Sequence, residues 1–146
     1  MVFGGIGFTQ LVKRQSLFRV DYDIVILGIY YVVVIAAYLF FEMIPINYRP
    51  ILIEGVMEVS YPSSTTLLVL CVMPTLAEQM NRRLKSVAVK RAVGIITITF
   101  SVFMVLGRLI SGVHWLTDIV GGVLLSAGLF CVYKAVVMLV GKEENE

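Results

Sequence analysis

Ile24-Val-Ile-Leu-Gly-Ile-Tyr-Tyr-Val-Val-Val-Ile-Ala-Ala-Tyr-Leu-Phe-Phe41 runs for 18 residues between Asp23 and Glu42 without a charge. A helix that crosses a bilayer needs about 20 mostly apolar residues, within a range of about 17–25. This stretch meets that length. Three further uncharged intervals follow at Val59–Ala77, Ala92–Gly107 and Ile119–Tyr133, and apolar character continues past Lys134 to Val140. Lys134 can snorkel from a helix end to the interface. The pattern predicts an all-α integral membrane bundle with four spans near 24–41, 63–80, 92–107 and 117–140, forming one domain over 1–146. Met1–Val12 is uncharged but too short to span, and Gly4, Gly5 and Gly7 weaken it as a helix. It reads as an interfacial segment or the tail of a helix that starts outside this chain.

Composition agrees. Of the 146 residues, 59% are hydrophobic and 15% charged, and the mean hydropathy is +0.92. Soluble domains carry about 45–50% apolar and about 25% charged residues. A disordered chain, a nucleic-acid-binding module and an ordinary soluble enzyme are excluded. Cys71 and Cys131 both lie in apolar runs. They make neither a disulfide framework nor a zinc site and read as small packing residues.

Basic residues mark cytoplasmic segments. Lys13, Arg14 and Arg19 precede the first span, Arg82, Arg83, Lys85, Lys90 and Arg91 separate the second and third, and Lys142 closes the chain. The other two loops carry only Arg49 and Arg108. Both termini are therefore expected on the cytoplasmic side, with the loops near 42–62 and 107–114 outside. The loop Asn81–Arg91 is expected to contact anionic lipid heads.

The outer loops hold nearly all the chemistry. The first contains Glu42, Arg49-Pro50, Glu54, Glu58 and then Tyr61-Pro-Ser-Ser-Thr-Thr66. The second runs from Gly107-Arg108 to His114-Trp-Leu-Thr-Asp118. His114 is the only histidine. Asp118, four residues later, shares its helix face. A carboxylate bonded to one ring nitrogen leaves the other free as a base or nucleophile. A histidine beside Trp115 can equally be an interfacial belt residue, with Asp118 a helix-start charge. Two arginines on the same side favour the chemical reading, because the guanidinium fork suits phosphate oxygens. Ser63 and Ser64 open the second helix, where hydroxyls and free N–H groups either cap or bind anions. One histidine and a nearby acid are not a zinc set. Gly121-Gly122 reads as a close-packing site between helices.

These residues resemble the type 2 phosphatidic acid phosphatases, the lipid phosphate phosphatases. The third motif of that family is Ser-Arg, five residues, His, three residues, Asp; Arg108, His114 and Asp118 match it, with Gly107 in place of the serine. The run Gly112–Gly122 is typical of it. The first motif, Lys, six residues, Arg-Pro, is met by Arg49-Pro50 with Glu42 at the lysine position. The second, Pro-Ser-Gly-His, is met by Pro62 and Ser63, with Ser64 for the glycine and Thr65 for the histidine. The resemblance covers roughly 20–140 and the last four of the family's usual six helices. A second copy of the chain, as a homo-oligomer, could cover the surface that two more helices would bury.

The resemblance implies hydrolysis of a lipid phosphate or diphosphate without metal or cofactor. His114 would attack phosphorus and form a phosphohistidine, and Asp118 would orient it. Arg49, Arg108, Ser63 and Ser64 would hold the phosphoryl oxygens, and Thr65 would lie on the leaving-group side. It further implies a bacterial cell-membrane protein whose site faces the extracytoplasmic side, and no nucleic-acid partner. Loss of a general acid costs about 10²–10⁴-fold in rate. The cost is small when the leaving group is itself a phosphate, so a polyprenyl-type diphosphate is the expected substrate. The alternative is an impaired relative that binds a phosphorylated lipid head group without turnover. A third reading is a fragment inactive without its first two helices.

Overall fold

The computed structural model describes residues 22–143 and is all-helical there. It comprises α1 (Tyr22–Met43), α2 (Ser64–Arg83), α3 (Val87–Ile110) and α4 (Leu116–Glu143). Met1–Val12 and the basic residues Lys13, Arg14 and Arg19 lie outside the described residues. The helices run up and down. Loops 44–63 and 111–115 meet at one end of the bundle, where Trp115 Nε1 donates to the Tyr48 carbonyl at 2.9 Å. The short 84–86 link lies at the other end.

Three of the helices, α1, α3 and α4, are long and apolar enough to cross a membrane. They turn residues such as Ile29, Val32, Ile95, Phe103, Leu124 and Leu139 outward. An apolar exterior of this kind suits lipid. Helix α2 has 20 residues but falls short on apolarity, because Thr66, Thr75, Glu78, Gln79, Asn81 and Pro74 interrupt it. The reason is its position. It is the central helix and packs its polar side chains inward, with Thr66, Thr75 and Gln79 fully buried. Each finds a partner: Thr66 donates to Ser63 Oγ, Thr75 bonds to the Tyr31 hydroxyl and Gln79 donates to the Tyr133 hydroxyl. A polar group left alone in such a core would cost several kcal/mol, on the order of 2–7.

The apolar core joins Leu27, Tyr30 and Val34 of α1 to Leu67 and Cys71 of α2 and Tyr133 and Val137 of α4. Tyr30 and Tyr133 meet with ring centroids 5.0 Å apart. Cys71 is a packing residue as expected, whereas Cys131 is exposed on α4. At the end opposite loops 44–63 and 111–115, Arg83 pairs with Asp23 at 2.9 Å, Lys134 with Glu78 at 2.8 Å and Arg82 with Glu78 at 3.2 Å. Arg82 and Arg83 are thus engaged in ion pairs with the bundle, while Lys85 and Arg91 of the 81–91 segment stand exposed.

The start of α2 is pressed against α4 at Gly121-Gly122. A Cβ on Gly121 would come within 2.3 Å of the Tyr61 ring, and one on Gly122 within 3.2 Å of Thr66. These two glycines let the Tyr61–Thr66 segment lie directly on α4. That contact sets the position of the loop carrying Arg49 relative to His114.

Candidate active site

The segment from Asn47 to Ser60 folds back on itself. Ser60 N donates to Asn47 O at 2.9 Å and Arg49 N to Glu58 O at 3.0 Å. Ile53 and Val56 exchange both backbone bonds, at 3.0 and 2.9 Å. Glu54 (φ 52°) and Gly55 (φ 79°) form the turn between them. Two consecutive left-handed residues give the tight hairpin turn that matches strand twist, and glycine takes up the second without strain. The fold-back places Arg49 beside Glu58 and turns Ser60 toward the 111–115 loop. In that second loop Gly112 (φ 67°) lets the chain reverse after α3 and present His114.

His114 is buried, with its side chain 2% exposed. Nδ1 lies 3.1 Å from the Ser60 carbonyl. A carbonyl only accepts, so Nδ1 carries the proton and the neutral ring has its lone pair on Nε2. The Asp118 carboxylate, expected from the i, i+4 spacing to hold the ring, stands 3.6 Å from Nδ1, beyond a hydrogen bond. Its oxygens bond instead to Trp115 N (2.9 Å) and Asn47 Nδ2 (3.1 Å). Asp118 is the third residue of α4, and from there a carboxylate reaches back to the N–H that precedes the helix. It therefore caps α4, ties the 44–63 loop to it, and places a negative charge behind the imidazole.

Arg49, Glu42, Glu58, Ser60, Ser64 and His114 share one cleft of about 480 Å³, with Tyr38 and Tyr61 in its walls. Arg108, in the last turn of α3, lies close enough for its field to act on the His114 ring, as does that of Arg49. Five buried side-chain nitrogen and oxygen atoms lack a hydrogen-bond partner among the described residues. Four belong to this one region: Arg49 Nε, Ser60 Oγ, Arg108 Nε and His114 Nε2. Arg49 Nε is 2.9 Å from Glu58 Oε2, but its N–H does not point along that line. The contact is an ion pair without a directed hydrogen bond. Buried polar groups are nearly always bonded, so the three such atoms on cleft-lining residues, Arg49 Nε, Ser60 Oγ and His114 Nε2, mark a cleft suited to a polar ligand.

Sequence-predicted residues divide into two groups. Arg49, His114 and Ser64 line one cleft, with Asp118 behind the ring, and Arg108 stands off the lining but within electrostatic range of His114. Ser63 is fully buried; its N–H goes to the Asp118 carbonyl at 3.1 Å and its Oγ accepts from Thr66 at 3.1 Å. It joins α2 to α4 and does not line the cleft. Thr65 is half-buried on the first turn of α2, also off the cleft lining. Two participants escaped the sequence reading, Asn47 and the Ser60 carbonyl. The Glu54-Gly55 turn is the signal that a hairpin brings Asn47 and Ser60 together.

The His114 ring is held below the ordinary histidine value of 6.5. Burial is the largest cause, followed by the fields of Arg49 and Arg108; Asp118 and the Ser60 carbonyl oppose them. The neutral ring therefore persists to lower pH than in a free histidine. If that ring is the nucleophile, the acid limb of kcat/KM falls below pH 6.5. Arg108→Gln, which removes one depressing field, shifts the limb to higher pH while lowering the rate. A limb above 6.5 in the parent contradicts this. The same depression makes the fold gain stability as pH rises toward 6.5, because the unfolded chain binds the proton more readily there.

The helical membrane bundle thus brings an imidazole and a guanidinium group into one cleft at a loop end, with a second guanidinium group in electrostatic range. The model of the PAP2 superfamily matches residues 24–141, and the chain belongs to that superfamily. Among solved structures it is similar to the crystal structure of the first transmembrane PAP2 type phosphatidylglycerolphosphate phosphatase from Bacillus subtilis. The TM-score is 0.64 at 22% identity, covering 95% of this chain and 68% of that one. At that identity the likeness establishes the fold: an integral membrane protein of the transmembrane PAP2 type. No curated protein matches the chain significantly.

Proposed function

We infer that the protein hydrolyses a lipid diphosphate through a phosphohistidine on His114. The observation that carries this reading is the buried, unpartnered Nε2 of a ring whose Nδ1–H is tied to Ser60, within the fields of two arginines. The Nε2 lone pair attacks the terminal phosphorus, an N–P bond forms, and the bridging P–O bond breaks. The lipid monophosphate leaves. Water then attacks the same phosphorus, the N–P bond breaks and inorganic phosphate departs. The ring is cationic in between, and Asp118 at 3.6 Å offsets that charge. Arg49 and Arg108 hold the equatorial oxygens. The Ser64 hydroxyl and the free N–H groups at the start of α2 complete the anion site, a role the sequence shared between Ser63 and Ser64.

The cleft lining contains no histidine besides His114, and Thr65 lies off it. An alkoxide leaving from a monoester therefore goes without the family's histidine as proton donor, while a phosphate leaving group needs little help. Phosphate release from a polyprenyl diphosphate is expected to exceed that from a phosphatidate-type monoester by about 10²-fold or more. Faster monoester turnover in a side-by-side panel overturns the assignment. The distribution of basic residues supports a site on the extracytoplasmic side.

A second reading has its own observation. Glu58 faces Arg49 and Glu42 occupies the family's lysine position, so the cleft carries less positive charge than its relatives' pattern provides. On that reading the chain binds a phosphorylated head group without turnover. Lipid binding that survives His114→Ala, with no phosphate release by the parent, selects it.

A further inference from the structure

Arg49 is the arginine that lines the cleft, and it already has an anion. Glu58 Oε2 stands 2.9 Å from Arg49 Nε, with side-chain exposures of 46% for the glutamate and 16% for the arginine. Both residues line the same cleft as His114. The backbone explains the juxtaposition: Arg49 N donates to Glu58 O at 3.0 Å across the hairpin, so the two side chains leave neighbouring positions. The carboxylate is held by charge alone, because the Arg49 Nε–H is not directed at it. The glutamate end of the pair is open to water, which weakens the contact and lets it exchange.

We propose that Glu58 is a built-in competitor for phosphoryl binding: its carboxylate occupies the oxyanion place at Arg49, and an incoming phosphoryl group must displace it. This rests on the phosphoryl-binding reading of the cleft. A carboxylate and a phosphoryl oxygen compete for the same guanidinium, and once displaced the carboxylate still faces the bound anion from the wall. Both effects weaken anions generally: the displacement costs the same for every anion, and the repulsion grows with the anion's charge. Glu58 thus lowers the affinity of the cleft for oxyanions at Arg49.

The test uses the full chain purified in detergent micelles, with orthovanadate and inorganic phosphate as probes. Glu58→Gln keeps the shape and removes the charge. It is expected to tighten both probes by roughly three- to tenfold. Glu54→Gln removes the same charge from the hairpin turn, outside the cleft lining, and is expected to change binding less than about twofold. Arg49→Gln weakens both probes, and in its background Glu58→Gln no longer tightens them. Binding that depends on Arg49 but is unchanged or weakened in Glu58→Gln overturns the displacement role and makes Glu58 a residue that orients Arg49. An equal gain from Glu54→Gln reduces the effect to net charge and also overturns it. No oxyanion binding in parent or variant overturns this inference together with the reading of the cleft.

Discussion

Replacing His114 by glutamine is expected to abolish lipid-phosphate hydrolysis, lowering turnover by about 10⁴-fold or more, as removal of a nucleophile does elsewhere. Glutamine keeps a polar side chain of similar reach beside the Ser60 carbonyl, so the loss is chemical. The parent, quenched during turnover of a substrate labelled in the terminal phosphoryl group, is expected to carry label that acid removes and base does not. The variant carries none. The geometry behind the prediction is narrow: Nδ1–H is committed to Ser60 at 3.1 Å, and Nε2 is buried without a partner. Residual turnover within about tenfold of the parent, or label on a different residue, removes His114 as nucleophile. Correct assembly of the variant can be read from unchanged thermal unfolding without added oxyanion.

Thr65→His is the second large effect, and it runs upward. The cleft of the parent has no second histidine to protonate an alkoxide, and position 65 is where the family pattern has one. It sits on the first turn of α2, next to Ser64 in the cleft. An imidazole is longer than the threonine side chain it replaces, and the gain requires that it reach the cleft past Ser64. Monoester hydrolysis is expected to rise by about 10²-fold, the low end of what a general acid contributes. Diphosphate hydrolysis is expected to change less than about threefold, because that leaving group departs without a proton. The ratio of the two rates is the measurement. Equal gains on both substrates would mean that the new histidine binds phosphate and does not donate a proton. An unchanged monoester rate would mean that Thr65 is not what limits it.

The all-helical membrane fold was legible in the chain because lipid imposes a one-dimensional rule. Every backbone group must be bonded within its own helix, and every lipid-facing side chain must be apolar. Charge-free intervals therefore mark helices directly. The same rule explains why α2 is the least apolar of the four: a central helix touches protein on most sides, so its composition answers to partners such as Tyr31 and Tyr133, not to lipid. Arg49, Arg108 and His114 stood out in the chain as groups placed where topology alone gave no reason for them, and the structure puts Arg49 and His114 in one cleft.

What local spacing could not decide was which bonds those groups make. The i, i+4 relation puts His114 and Asp118 on one face, but whether they bond depends on what else competes for the carboxylate. Asn47 and the Trp115 N–H, from a separate loop and the helix start, are the competitors, and the Ser60 carbonyl takes the ring proton. Residue type and helical period reside in the chain itself. Hydrogen-bond pairing across 54 and 71 residues of sequence is settled only when the hairpin closes and the two glycines of α4 admit Tyr61, because a bond a few ångströms long is set by packing that no local pattern encodes.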